Sequence, residues 1–336
     1  MSNRAALILS GGKAKRFQRQ NEAWQDKALI KIKGKTFLEN LIQNLQNVVD
    51  RIVVCVNTKE REEQYKEITE KCDVKNLAFV VDEKNLSIGG PLKAILSGLR
   101  FSSESYCITV PVDMPFVNSK VVDCFFKKTI GFDLSVPMWP DGTLETLLMV
   151  LKRERVIEIV ETLSILNNSR ADSIIRGSAK QLLLSPLGEI ESLDPKLESF
   201  ININTEEDLT RLQTRSIKGS IIIDQVICKE KISFSDLKKL RQGKLALNEE
   251  RLLEAQEIFS FCSSNFGEKK GYFWEALSWE NLGETLLKQC KQEFKEAYVK
   301  AAKSYQKEAG IYEKIGCRVL NEVALKDSIR CKSKIK

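Results

Sequence analysis

The sequence predicts an α/β chain with a second, all-α part. A mostly parallel sheet with helices on both faces should occupy residues 1–215, and a helical region residues 216–336. Three observations carry this. Short apolar runs alternate with amphipathic stretches through the first two-thirds, the βαβα pattern of a sheet covered on both faces. Beyond residue 216 apolar residues recur at helical spacing, as in Ala297, Ala301, Tyr305, Ala309 and Tyr312. The chain has 336 residues, 43% hydrophobic and 29% charged, which is a globular composition with room for more than one core.

Taken in order, residues 5–9 read as a strand, 37–48 as a helix and 51–56 as a strand. A charged helix follows over 59–71, a strand over 77–81, a helix over 91–99 and a strand over 106–112. Residues 121–128 read as helical and 133–136 as extended. Then come an apolar run over 144–151, a helix near 156–166, a strand over 181–184 and a capped helix over 205–212. After a β-rich piece at 221–227, helices are expected over 235–241, 248–260, 272–289, 293–312 and 319–329. Trp279-x-x-Leu282-Gly283 matches the opening of a tetratricopeptide repeat, and Ala301-x-x-x-Tyr305 resembles part of its second helix. The closing proline is missing and the period is not cleanly 34, so TPR-like hairpins and a plain helical bundle both remain open.

No apolar run approaches the roughly 18 residues of a membrane helix, and 5–9 ends in Gly11-Gly12, which suits a strand and not a signal peptide. A cytoplasmic protein is expected. The chain contains no histidine, which excludes Ser-His-Asp and Cys-His catalysis and imidazole metal ligation. Nine cysteines at wide spacing form no CxxC pair, so a zinc site or a disulfide framework is not expected. Residues 1–215 hold 30 Lys and Arg against 29 Asp and Glu, and residues 216–336 hold 23 against 17. The excess of +6 in the second part is spread among glutamates without an aromatic platform, which argues for a solvated face and against nucleic acid.

The chemistry gathers at strand ends. Ala5-Ala6-Leu7-Ile8-Leu9 runs into Ser10-Gly11-Gly12, followed by Lys13, Lys15 and Arg16. Two glycines free backbone N–H groups to cradle an anion, with positive charge beside them. The loop is neither GxxxxGK[ST] nor GxGxxG, so P-loop hydrolase and dinucleotide-dependent dehydrogenase fit poorly. Downstream, Asn57 closes the second strand, Asp82 the third, and Asp113 follows the next within Val112-Asp113-Met114-Pro115. In an open α/β sheet these positions converge outside the carboxyl ends of the strands. Each also has an ordinary reading. A lone Asp113 would be taken as a helix cap, Asp82 as a turn residue, and Asn202 and Asn204 as a strand end.

The order of motifs resembles the molybdenum cofactor guanylyltransferases, within the broader Rossmann-like nucleotidyltransferases. The resemblance rests on Leu9-Ser10-Gly11-Gly12 with Arg16, on Lys27, on Gly90-Pro91-Leu92-Lys93-Ala94, on Val112-Asp113-Met114-Pro115, and on the run from Asn202 to Leu209. It covers about residues 4–214. The family implies transfer of GMP from GTP to molybdopterin with release of pyrophosphate. Leu9, Ser10, Gly11 and Gly12 would hold the nucleotide through the loop, Arg16 and Lys27 would neutralise the triphosphate, and Asn57 and Asp82 would touch base or ribose. Asp113 would hold Mg²⁺, with Asp82 nearby, and Asn202 and Asn204 would contact the acceptor. Arg16, Lys27 and Asp113 are thus the catalytic candidates. Sibling activities on the fold remain open: cytidylyl transfer to molybdopterin, and guanylyl transfer to cobinamide phosphate or phospholactate. So does an interaction protein working through its helical tail. The position of that tail suggests a handover partner, a molybdenum enzyme or a pathway protein. One departure matters. An insertion over 19–25 separates Arg16 from Lys27, which leaves the reach of Lys27 to be settled by structure.

Overall fold

The computed structural model describes residues 3–11, 26–72, 74–84, 86, 88–205, 207–208 and 223–335. Among these, ten strands and twelve helices are distinguished. The strands are β1 (Arg4–Leu9), β2 (Lys31–Ile32), β3 (Lys35–Thr36), β4 (Arg51–Val56), β5 (Leu77–Val81), β6 (Tyr106–Pro111), β7 (Leu134–Pro137), β8 (Met149–Lys152), β9 (Lys180–Leu184) and β10 (Gln225–Cys228). The helices are α1 (Phe37–Leu45), α2 (Lys59–Thr69), α3 (Pro91–Phe101), α4 (Ser119–Thr129), α5 (Arg153–Ile165), α6 (Asp172–Gly177) and the single turn α7 (Glu191–Leu193). The last five are α8 (Phe234–Asn248), α9 (Leu252–Glu268), α10 (Tyr272–Lys288), α11 (Phe294–Lys314) and α12 (Arg318–Ser333).

Eight strands form one sheet in the order β10-β9-β7-β8-β6-β1-β4-β5, while β2 and β3 make a separate two-stranded hairpin. Strands β6, β1, β4 and β5 run parallel, and β8 lies antiparallel between β6 and β7. The apolar run at 144–151 is therefore mostly loop, and only Met149–Lys152 is strand. A strand buried on both faces needs apolar residues throughout, and β1 shows it. Ala5, Leu7 and Leu9 point to one face, while Ala6 and Ile8 point to the other. Helix α4 covers the second face through Val121, Val122 and Phe125, joined by Phe37, Leu38 and Leu41 of α1.

Local signals start the helices. Thr36 and Glu39 form a reciprocal capping box at α1, and Ser233 and Asp236 form another at α8. Pro91 opens α3 directly after Gly90. Thr205 and Asp208 make the hydrogen bonds of a third box, with Asp208 accepting from the N–H groups of Asn204 and Thr205 at 2.7 and 2.8 Å. The helix expected beyond it, over 209–212, lies outside the described residues, as do 221–222.

The first face carries α3 and α5 and then a further layer. Trp274 and Phe273 of α10, Phe259 of α9 and Tyr312 of α11 belong to the same apolar cluster as Leu7, Val53 and Ile159. From α8 to α12 each helix packs on the next, and α8 also packs on α5. Small residues let these helices approach, since a Cβ at Gly283 would stand 3.0 Å from the Tyr298 ring. Strand β10 pairs with β9 at the sheet edge, on the far side of the boundary expected at residue 215. Buried ion pairs seal the junction. The Arg176 guanidinium of α6 grips Glu308 of α11 through two hydrogen bonds, at 2.8 and 2.6 Å, and Asp327 of α12 at 2.7 Å. None of the nine cysteines is in a disulfide. No helix among the described residues is long and apolar enough to cross a membrane.

Trp274 is the centre of this junction, packed over Gly177 with its indole N–H donating to the Gly177 carbonyl at 3.0 Å. Trp274→Ala is expected to lower stability by about 3–5 kcal/mol in denaturant unfolding.

Candidate active site

A cleft of about 520 Å³ opens at the carboxyl ends of β1, β4, β5 and β6. Here the strand order turns from β1 to β4 on one side and to β6 on the other, where an open α/β sheet forms its ligand crevice. Leu9, Ser10 and Gly11 line it from β1, Asn57 from β4 and Asp82 from β5. Pro111 ends β6, Val112 and Asp113 follow it, and Gly90, Pro91, Lys93 and Ala94 belong to the start of α3. Asp26, Lys27, Lys84 and Leu147 complete the lining. Among the residues singled out from sequence, Leu9, Ser10, Gly11, Lys27, Asn57, Asp82 and Asp113 therefore share one cavity. Gly12 and Arg16 lie outside the described residues, together with Lys13, Lys15 and the insertion at 19–25.

The floor of the cleft is a buried polar network. Arg61, on the inner face of α2, donates to the Ser10 carbonyl at 2.9 Å and to Asn57 Oδ1 at 3.0 Å. It pairs with Asp26 at 3.0 Å. Tyr65, one turn along, donates to Asp26 Oδ2 at 2.7 Å and stands 2.8 Å from the Ser10 hydroxyl. Burial, with Asp26 beside it, pushes the Tyr65 phenol well above its ordinary range and keeps it a donor. Sequence reading missed both residues. Within a helix dismissed as charged, Arg61, Tyr65 and Thr69 recur every four residues, and all three are buried. That spacing was the available signal.

Lys27 reaches the centre despite the insertion before it. A short 3₁₀ turn, Lys27–Leu29, is capped by the Asp26 side chain and fixes its start. The Lys27 ammonium donates to Asp113 Oδ2 at 3.1 Å and to Asn204 Oδ1 at 2.7 Å. Asp113 is not the cap of the following helix, because Asn118 caps α4. The Asp113 carbonyl accepts from the Ile203 N–H at 2.8 Å, which holds residues 201–204 beside the cleft. Ile203 is buried, so alternation turns Asn202 and Asn204 to the same side, yet their surroundings differ. Asn204 joins Lys27, while Asn202 is exposed and lines no part of the cleft.

Asp82 is the cleft's perturbed acid. Burial raises its carboxyl from the ordinary 3.8 to about 6, and the charge of Lys93 pulls in the opposite direction. Its Oδ1 is buried without a hydrogen-bond partner among the described residues, an acceptor open to whatever enters. A Cβ on Gly11 would lie 3.8 Å from Asp82 Oδ2 and 3.9 Å from Asn57 Cβ, so a ligand on the Gly11 backbone meets both side chains. Among the described residues no three Cys, Asp or Glu side chains gather as a ready metal cage. The donor set suits a hard cation that brings its own waters and phosphate ligands and needs one or two carboxylates. Asp113 fits that requirement, while Asp82 stands at the end of β5, with β4 and β1 between it and β6.

Comparison with known proteins adds the family context. Residues 6–182 match the model of the MobA-like NTP transferase domain. A protein of Methanosarcina acetivorans named probable molybdenum cofactor guanylyltransferase is 34% identical over 221 residues, spanning 66% of this chain and 92% of that one. One of the same name from Methanosarcina mazei is 31% identical over 211 residues, spanning 63% of this chain and 90% of its own. The crystal structure of molybdopterin-guanine dinucleotide biosynthesis protein A from Archaeoglobus fulgidus superimposes with a TM-score of 0.50. It is 21% identical and covers 62% of this chain and 95% of its own, which shows a shared fold. The family match ends before β10 and the five terminal helices.

Two measurements test the site as built. Arg61→Met leaves Asp26 buried without its cation and is expected to cost about 3–5 kcal/mol in denaturant unfolding. The Asp82 carboxyl should titrate near pH 6 when followed by carbon NMR. Lys93→Met removes the cation that favours the ionised form, so the midpoint should move upward.

Proposed function

This chain belongs to the MobA-like NTP transferase family, and from that membership we propose that it transfers GMP from GTP to the phosphate of molybdopterin, releasing pyrophosphate. The observation that carries the reading is the coincidence of the curated guanylyltransferase relatives with a cleft holding Gly11, Lys27, Asp82 and Asp113 together. The acceptor phosphate oxygen attacks the α-phosphorus, the bond to the β-phosphate oxygen breaks, and pyrophosphate leaves with that electron pair. Such a transfer asks the protein for positioning and charge, and for little covalent chemistry.

The residues divide the work. The backbone of Leu9, Ser10 and Gly11 receives the nucleotide where β1 ends. Asn57 and Asp82 take its base or ribose, with Asp82 Oδ1, unpartnered among the described residues, accepting from a ligand N–H or O–H. Lys27 brings a positive charge to within 3.1 Å of Asp113, at the place where the phosphates pass. Arg16 adds a second cation by family resemblance. A divalent cation, which we take to be Mg²⁺, would be held by Asp113, and when bound would neutralise the α-phosphate and the departing pyrophosphate. Asn204, held by Lys27 at 2.7 Å, would meet the acceptor. The terminal helices would receive a molybdenum enzyme or pathway protein at handover, and the work would be cytoplasmic.

The deciding experiment is pyrophosphate release with Mg²⁺ and molybdenum-loaded molybdopterin, offered GTP and CTP in parallel. Release with GTP alone is expected. Release with CTP alone would transfer the chain to the cytidylyl branch, and silence with both nucleotides bound would mean another acceptor. Asp113→Asn should lower kcat by at least about 100-fold while circular dichroism stays unchanged.

A further inference from the structure

The loop joining β7 to β8, residues 138–148, touches both the cleft and the terminal helices. At its base Leu147 lines the cleft, and its carbonyl accepts from Thr109 Oγ1 at 2.9 Å. Between base and tip the loop is stiff. The Trp139 N–H donates to the Thr143 carbonyl at 2.8 Å, the Glu145 N–H to the Pro137 carbonyl at 3.1 Å, and the Trp139 indole to Glu145 at 2.7 Å. At its tip the Gly142 carbonyl accepts from the Val319 N–H of α12 at 3.2 Å. Asp141 stands 3.8 Å from the Arg318 guanidinium. Gly142 has φ +75°, and a Cβ there would overlap the Gly316 carbonyl oxygen and lie 2.6 Å from the Arg318 nitrogen. The backbones of loop and helical turn are in direct contact, closer than any side chain permits.

The placement matters for the reaction. Gly11, Asn57 and Asp82 occupy the half of the cleft over β1, β4 and β5, and Leu147 walls the half over β6 and β8. In-line attack brings the acceptor from the side opposite the departing pyrophosphate. With the nucleotide on the first half, the acceptor lies against the Leu147 wall. We infer that the turn between α11 and α12 is a positioning element for the acceptor, setting that wall through Gly142 and Arg318. This rests on the reading of the cleft given above. It assigns a role in the reaction to a region beyond the family match.

The test uses the full chain. Gly142→Asn keeps a residue tolerant of positive φ and adds only the colliding side chain. Arg318→Asp, exposed and free of backbone demands, sets two carboxylates face to face. Gly131→Asn, at another positive φ with open space around it, is the control. Both interface variants should raise KM for the acceptor about 10-fold with GTP affinity within about twofold of the parent. Hydrogen exchange at the amides of Trp139, Glu145 and Leu148 should quicken. The control should leave all three readings unchanged. An unaltered acceptor KM, or GTP affinity falling in step with it, would overturn the inference. If the parent transfers nothing to molybdopterin, the reaction assignment fails, and the exchange rates and GTP affinity still decide whether the turn holds the wall.

Discussion

A single buried guanidinium organises the cleft. Arg61 binds the last carbonyl before the glycine loop, the asparagine closing β4 and the aspartate preceding Lys27. Pairing of β1 with β4 brings the first two together, and this charge ties the segment of Asp26 to both. Taking an arginine and an aspartate out of water is costly. The cost is offset only when geometry is good and the remaining donors and acceptors are satisfied. Tyr65 and the Ser10 hydroxyl satisfy them here. Because Asp26 is held, the turn it caps is held, and so is Lys27 against Asp113 and Asn204.

A second buried cation performs the corresponding task for the helical region. Arg176 meets Glu308 and Asp327 with its side chain almost wholly enclosed, and the carboxylates hold it charged against the cost of burial. Lys229, beside it, donates to the Arg176 carbonyl at 2.8 Å, and burial lowers its ammonium to about 8. Together with the apolar layer of Trp274, Phe273 and Phe259, these contacts make the terminal helices a covering for one face of the sheet. The helical region is thus continuous with the core that supports the cleft.

The alternating apolar runs, the glycines at Gly11 and Gly90, and the acids at strand ends were legible because local rules produce them. A parallel strand must be apolar throughout, and a ligand backbone approach requires glycine. Arg61 and Tyr65 were hidden in a helix whose composition is mostly that of a solvated surface. Asn202 read as the twin of Asn204, yet only one of them meets Lys27. The pattern places both on the same side of the chain, and only the neighbouring turn decides which is covered.

Sequence alone determined the class of fold and most of its larger elements, since periodicity and turn residues act within a few positions of themselves. Tertiary structure decided what periodicity does not encode. It brought Lys27 past the insertion to Asp113, paired β10 with β9 across the expected boundary, and pressed Gly316 onto Gly142. Each of these depends on contacts between residues distant in the chain, set by how a charged or apolar face finds its complement. No local pattern specifies that choice.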